Sequence, residues 1–118
     1  METPSNDTLK LRFNVLVEGQ ADGTYLAHCL ELDLVAEGET LEQACHEIMN
    51  VIDVHVRTCI ENDNMENLFF PAPKEVWEKL GAIQARMSQC TRNTIKHRVF
   101  DNCGHKFSKV EVDQLCYA

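Results

Sequence analysis

The chain has 118 residues, of which 44% are hydrophobic and 25% are charged, a composition typical of one globular domain. No apolar run approaches the ~20 residues that a membrane-spanning helix needs, so we expect a soluble protein without a membrane partner. The net charge of −8 argues against a nucleic-acid backbone as the partner and favours a basic protein.

The N-terminal segment METPSNDTLK is polar and has no apolar region typical of a secretory signal, so we expect a cytoplasmic protein. Residues 1–8 are predicted to be flexible, and residues 9–118 are predicted to form one α+β domain. The six cysteines are irregularly spaced and include no CxxC pair, so we expect them to remain thiols in a reducing compartment.

The first third of the sequence predicts three strands. Apolar residues occupy every second position from Leu9 to Val17, which is the pattern of a half-buried strand. Asp22 and Gly23 offer turn chemistry, so Thr24–Leu30 is predicted to return as the second strand of a hairpin. A short third strand is predicted over Leu34–Glu37.

A long helix is predicted next, because Thr40 and Gln43 have the spacing of a capping box before Leu41. Its predicted buried stripe has helical spacing and comprises Leu41, Ala44, Cys45, Ile48, Val51, Ile52, His55, Val56 and Cys59. The residues expected to face water are Glu42, Glu47, Asn50, Asp53 and Arg57. The Asn- and Asp-rich segment 61–67 is predicted to end the helix.

A second helix and a hairpin complete the predicted fold. Pro73 suits the first turn of a helix, and apolar residues then recur at helical spacing at Val76, Trp77, Leu80, Ile83 and Met87. The runs 94–100 and 106–112 resemble a C-terminal β-hairpin. The predicted order is therefore β-β-β-α-α-β-β, an α+β fold in which a mostly antiparallel sheet packs on one long helix.

The residue types of an active site occur in this sequence, but their arrangement does not favour catalysis. His28 and Cys29 are adjacent on a predicted strand, so their side chains should point to opposite faces and not form a nucleophile–base pair. The spread acidic residues are interpreted as a solvated or partner-facing rim, not a Mg²⁺ site; they are Glu18, Asp22, Glu31, Asp33, Glu37 and Glu39. We therefore expect no enzyme activity and no cofactor.

Two further groups of residues have alternative interpretations. Four residues have side chains that bind zinc but lack the spacing of a zinc finger, so no metal is expected there; they are Cys90, His97, Cys103 and His105. Three aromatic residues have acidic neighbours, which favours core packing or a subunit contact over base stacking; they are Phe69, Phe70 and Trp77. His55 is predicted to be a hydrogen-bonded histidine of the core or an interface.

The region from Leu9 to Ile60 resembles the HicB-like antitoxin family in the order and spacing of its motifs. The matching pieces are Asp22-Gly23, Tyr25, Ala27, Glu31-Leu32, and Gly38 followed at alternate positions by Thr40, Glu42 and Ala44. The resemblance implies a partial RNase-H-like fold without hydrolase activity. It also implies binding to a small basic HicA-like ribonuclease toxin, whose active surface the domain would mask, and assembly as a dimer or tetramer.

The sequence departs from the family pattern in two places. Many members have a Pro-Glu-Leu-Pro-Gly turn where this chain has the segment 30–34, Leu-Glu-Leu-Asp-Leu. The last 25 residues read as a hairpin and are too few for the ribbon-helix-helix that many members carry, so no direct DNA binding is expected.

The residues expected to contact a partner are predicted from their positions on the strands and the turn. The predicted partner-binding residues are Tyr25, His28, Glu31 and Asp33. The alternative hypothesis is a stand-alone homo-oligomeric domain without toxin or DNA binding, whose subunit contact is formed by Phe69, Phe70 and Trp77.

Overall fold

The computed structural model of the chain describes residues 8–85, 93–101, 107 and 109–118. The described strands and helices follow the predicted order: β1 (Thr8–Gly19), β2 (Tyr25–Cys29), β3 (Leu34–Gly38), α1 (Leu41–Glu61), α2 (Lys74–Ala85), β4 (Asn93–Asp101) and β5 (Lys109–Tyr117). A 3₁₀ helix, Met65–Asn67, lies between the two α-helices. The predicted flexible segment falls almost entirely outside the described residues, as do Met87 and the turn of the C-terminal hairpin.

The strands form one sheet in the order β3-β2-β1-β5-β4. Three neighbouring pairs are antiparallel, and β1 and β5 are parallel, so the sheet is mixed but mostly antiparallel. The C-terminal hairpin is confirmed, and it joins the main sheet through β5. The coarse prediction of an α+β fold with a mostly antiparallel sheet against a long helix is thereby confirmed.

Helices cover both faces of the sheet, whereas the sequence predicted that one long helix would cover one face. The main core lies between α1 and the sheet face that includes Phe13 and Val15. A second, smaller core forms where α2 packs on the opposite face; its buried members are Leu16, Leu30, Ala72, Leu80 and Tyr117. Because β1 has a helix on each side near its end, the consecutive residues 15–17 are all buried.

The predicted turn between β1 and β2 is confirmed, and residues of the turn form hydrogen bonds with one another. Gly23 has a φ of +89°, a backbone conformation that glycine adopts without a steric penalty. The Asp22 carboxylate accepts hydrogen bonds from the backbone N–H and the hydroxyl of Thr24, at 3.0 and 2.6 Å. These bonds stabilise the ionised carboxylate, so they lower the pKa of Asp22.

Helix α1 begins as predicted and lies very close to the strand before it. The Thr40 hydroxyl accepts the Gln43 backbone N–H at 3.0 Å, and the Gln43 side chain accepts the Glu39 N–H at 2.7 Å. A Cβ atom at Gly38 would lie 2.3 Å from the Ala44 backbone nitrogen, so only glycine fits there. This contact fixes the first turns of α1 directly over the end of β3.

The buried stripe of α1 is mostly as predicted, but its edges differ. Met49 and Ile60 are also buried, whereas Leu41, Val51 and His55 are only half-buried. Asp53 was expected to face water and instead pairs with a strand at the far side of the sheet, as described below. The buried stripe therefore extends to residues that local periodicity alone did not select, because burial depends on which strands α1 contacts.

Candidate partner-binding site

The acidic residues of the chain are segregated along the sequence. No Lys or Arg occurs between Arg12 and Arg57, and the same span holds nine carboxylates: Glu18, Asp22, Glu31, Asp33, Glu37, Glu39, Glu42, Glu47 and Asp53. The other ten acidic residues are balanced by all eleven Lys and Arg. The net negative charge therefore arises from the end of β1, from β2 and β3, and from most of α1. This signal is present in the sequence, but no single motif reveals it.

The turn from β2 to β3 is stabilised by a histidine–aspartate contact. Asp33 has a φ of +52°, in the left-handed region that aspartate tolerates better than most residues. Its Oδ1 lies 2.6 Å from His28 Nε2, and the His28 side chain is 17% exposed. The contact stabilises the bend between β2 and β3, a turn that contains neither proline nor glycine.

Glu31 connects the same turn to β1. Its two carboxylate oxygens accept the backbone N–H and the side-chain amide of Asn14, at 2.8 and 2.7 Å. Its carbonyl oxygen accepts the Phe70 N–H at 3.0 Å, so the segment after the 3₁₀ helix is attached to the turn as well. Glu31 therefore has an intramolecular bracing role, and its carboxylate is already paired.

The structure brings together three of the four predicted partner-binding residues. His28, Glu31 and Asp33 surround the β2–β3 turn, whereas Tyr25 lies at the other end of β2 and packs half-buried against the main core. The turn also carries half-buried Leu34, which begins β3. Exposed carboxylates near this edge include those of Glu37 and Glu39, which were predicted only as part of the rim.

His28 and Cys29 point to opposite faces of the sheet, as predicted. Cys29 is fully buried in the main core under α1, while His28 contacts Asp33 on the other face. Burial, together with the nearby charge of Glu31, raises the pKa of the Cys29 thiol to about 12. A thiol with such a pKa is a poor nucleophile near neutral pH.

An open apolar cavity of about 500 Å³ lies between the start of β3 and the outer flank of α1. Its lining residues are Leu34, Glu47, Asn50, Val51, Val54, His55 and Thr58. Val54 is 66% exposed although it is apolar. The cavity, which we call the α1 groove, is therefore an apolar surface within the acidic half of the molecule.

His55 occupies one end of the α1 groove and holds the following segment in place. Its Nε2 lies 2.8 Å from the carbonyl oxygen of Leu68, which confirms the prediction of a hydrogen-bonded histidine. Two exposed aromatic residues follow Leu68: Phe69 is 53% exposed and Phe70 is 68% exposed. The predicted subunit-contact residue Trp77 lies elsewhere, half-buried against the second core on α2.

The opposite side of the sheet has a different electrostatic character. Arg98 on β4 donates to the carboxylate of Asp53 and to Asn50 at 3.2 Å, and its neighbour His97 contacts Asp113. Burial raises the pKa of Asp53, while the Arg98 charge and hydrogen bond oppose that shift. Sequence reasoning missed this pair because its members are 45 positions apart.

The remaining zinc candidates, Cys90, Cys103 and His105, lie outside the described residues. Within the part of the chain that the structure describes, no cluster of three or more His, Cys, Asp or Glu side chains is arranged to hold a metal ion. The described helices include none with the length and apolar character required to cross a membrane. Comparisons with protein-family models, with curated proteins and with solved structures gave no match.

Proposed function

We propose that this chain is a protein-binding module whose partner is a small basic protein, and that the partner docks on the acidic half of the domain. The docking surface comprises the β2–β3 turn, the exposed side of β3 and the α1 groove. The proposal is for binding without catalysis and without a cofactor. Opposite charges would steer the partner to the surface, and the apolar groove would hold it.

One observation carries the proposal: an apolar groove, lined in part by Glu47, is formed largely by a span of the sequence, residues 13–56, that holds nine carboxylates and no Lys or Arg. Carboxylates concentrated on one side of a domain repel one another and contribute little to its stability. The exposed Glu37 and Glu39 have no cation opposite them among the described residues. A basic partner would supply those cations, while the groove would bury its apolar side chains.

The resemblance to the HicB-like antitoxins supports a specific form of this proposal. In that form the partner is a HicA-like ribonuclease toxin, and the domain inactivates it by covering its basic RNA-binding surface. The strand–strand–strand–helix order of the first 61 residues agrees with the resemblance. Docking at the acidic surface would then inhibit RNA cleavage by the partner without any chemistry by this chain.

The test begins with tagged protein purified from its native host at low and moderate salt, followed by mass spectrometry of stoichiometric co-purifying proteins. The identified partner is then titrated against the wild type and the Glu37→Lys variant. We expect a small basic partner whose affinity falls with salt and falls about tenfold in the variant. For a ribonuclease partner, RNA cleavage should stop at a 1:1 molar ratio or another fixed stoichiometry.

The control is Glu75→Lys, which makes the same change in net charge at an exposed position on α2. Equal loss of affinity in both variants would show that only the overall charge matters and would contradict a localised docking surface. Glu31 and Asp33 are unsuitable for this test, because their carboxylates brace the β2–β3 turn.

A second candidate function, a stand-alone homo-oligomeric module, is favoured by the exposure of Phe69 and Phe70. Sedimentation of the pure protein at low and high concentration tests this candidate. An oligomer that the Phe70→Ser variant dissociates, while Val99→Ser on β4 leaves it intact, would support a subunit contact at Phe70. A monomer at all concentrations would exclude this candidate and leave the surface available to another protein.

A further inference from the structure

Strand β3 is an edge strand with an open hydrogen-bonding side. It is the terminal strand of the described sheet and pairs only with β2. Its sequence, LVAEG, contains neither proline nor lysine, the residues that commonly prevent pairing at a sheet edge. Among the described residues, no other strand pairs with its outer side, so its outward backbone N–H and C=O groups have no strand partner there.

Helix α1 lies beside this edge and adds an apolar surface to its backbone groups. Because Gly38 allows α1 to approach β3 closely, the helix lies over the edge strand itself. A strand added outside β3 would direct every second side chain toward the flank of α1. The α1 groove lies on that flank, where Leu34 and Val54 are both accessible.

The charges near the edge define the other side chains of such a strand. Glu37 within β3 and Glu39 just after it are exposed, and Glu47 lines the α1 groove. No Lys or Arg occurs in this part of the chain. Residues on an added strand alternate between two faces. The complementary strand therefore alternates apolar residues, which enter the groove, with basic residues, which meet the carboxylates.

We propose that the outer edge of β3 receives a β-strand of the basic partner, with alternating apolar and basic residues, and that the α1 groove accepts its apolar side chains. This inference rests on the proposed function and specifies its mode of docking. Main-chain hydrogen bonds would supply much of the affinity, and the groove would select the register of the incoming strand.

The first experiment uses a short acetylated peptide that alternates lysine with leucine as the probe. It is titrated into ¹⁵N-labelled full-length protein, with a second peptide of the same composition in separate lysine and leucine blocks. We expect amide shift changes and slowed hydrogen exchange centred on residues 34–38, with affinity at least about tenfold higher for the alternating peptide. Changes centred on another surface would overturn the inference.

Two N-methylated forms of the alternating peptide test the backbone pairing directly. One form is methylated on the N–H groups of one edge and the other form on those of the opposite edge. Strand addition uses one edge of the peptide, so one form should retain binding and the other should lose it. Equal binding of both forms would overturn strand addition, yet the proposed function would stand if binding still weakens with salt.

Filling the groove tests the apolar contact. The Val54→Trp substitution is at an exposed position, so the fold should be retained, and we expect the peptide affinity to fall at least about tenfold. The control, His46→Trp, places the same side chain on an exposed part of α1 outside the groove. Equal affinities in the two variants would overturn the role of the groove.

The remaining outcomes separate this inference from the proposed function. If neither peptide binds at low salt, the inference fails, while the native partner still decides the proposed function. If the amides of residues 34–38 are already protected without peptide and the protein sediments as a dimer, a second copy occupies the edge and the inference is also wrong.

Discussion

The carboxylates near the two edges of the sheet have different partners. On the β4 side, Asp53 is paired with Arg98, and Glu111 lies 3.3 Å from Lys109. On the β3 side the hydrogen bonds come from uncharged amides or from an imidazole: Asn14 donates to Glu31, and His28 contacts Asp33. Arg and Lys side chains thus compensate the carboxylates near one edge, whereas Glu31 and Asp33 near the other edge have no Lys or Arg partner among the described residues.

This difference indicates that the charges near the β4 edge stabilise the fold, whereas those near the β3 edge are available for contact with another molecule. Ion pairs that cross from β4 and β5 to other elements support the packing of the hairpin against α1 and β1. Uncompensated exposed carboxylates give little stability to an isolated domain but increase the rate at which a basic protein associates. An exception is Glu18 at the end of β1, which lies 3.6 Å from Lys79 of α2.

The largest expected change in the free energy of unfolding comes from a substitution that forces α1 away from β3. A methyl group at Gly38 would lie 2.3 Å from the Ala44 backbone nitrogen, and a backbone atom cannot move aside as a flexible side chain can. We expect Gly38→Ala to lower the free energy of unfolding by about 3 kcal/mol, measured by urea denaturation.

The matched control is Gly81→Ala on α2, where an added methyl group would meet nothing within 4 Å. Alanine has the higher helix propensity, so this variant should gain about 0.5–1 kcal/mol. A Gly38→Ala variant as stable as the wild type would show that α1 is not held against β3 by the contact described above.

The next effect concerns the compensated edge. Removing the cation with Arg98→Met leaves the Asp53 carboxylate largely buried, with its side chain 13% exposed and without its charged partner. We expect a loss of about 2 kcal/mol at pH 7, below the range for fully buried pairs because Arg98 is partly exposed. Urea denaturation of the variant and the wild type at pH 7 and pH 4 measures it.

The sign of the pH dependence follows from the pKa of Asp53. Burial already raises this pKa in the folded wild type, and loss of Arg98 removes the hydrogen bond and the charge that most oppose the shift, leaving only the weaker effect of the Arg57 charge. A raised folded pKa gives stability that is present at low pH and lost as pH rises, so the deficit of the variant should shrink on acidification. Adding Asp53→Asn should recover most of the loss at pH 7, and no recovery would contradict a charge effect.

A smaller effect is expected in the core between the two edges. The pKa of Cys29 is raised from 9.0 to about 12, so ionisation of this thiol favours the unfolded chain. The stabilisation is complete below pH 9 and is lost as pH rises from 9 toward 12. From pH 8 to pH 10 we expect a loss of about 1.4 kcal/mol, which the Cys29→Ala variant should not show.

Denaturation curves at pH 8 and pH 10 for both proteins provide the comparison. The other described cysteines, all buried, are present in both proteins and cancel in the difference. An identical pH dependence in wild type and variant would show that the Cys29 thiol ionises as readily in the folded chain as in the unfolded one.

Local patterns in the sequence predicted the strands, the capping box and the start of α1, because these depend on neighbouring residues. The parallel pairing of β1 with β5 could not be predicted, since it joins residues about a hundred positions apart and has no local cue. The same holds for the pair of Asp53 and Arg98. The sequence did indicate that the second face of the sheet is also buried. Residues 15–17 are all apolar, whereas a strand with one face in solvent would have a polar residue at the middle position.

The candidate site was predictable in its chemistry and not in its geometry. The prediction of an acidic rim that includes Asp33 follows from composition and strand position. The intramolecular bonds of Glu31 do not, because they depend on how the β2–β3 turn meets β1. The α1 groove brings Leu34 of β3 together with residues of α1 at least 13 positions later, a tertiary contact that no local spacing of residues encodes.

The smallest expected stability changes come from reversing one carboxylate near each edge of the sheet, and they test the difference between the two edges most directly. In the isolated protein, Glu37→Lys reverses an exposed carboxylate whose only described contact is Gln20 at 3.5 Å, so stability should change by less than about 0.5 kcal/mol. Glu111→Lys places a third lysine beside Lys10 and Lys109 and should lose about 1 kcal/mol at low salt, less at high salt. Urea denaturation at two salt concentrations measures both. Equal losses would mean that both edges use their charges for folding, whereas a loss confined to Glu111→Lys leaves the carboxylates of the β3 edge available for a partner.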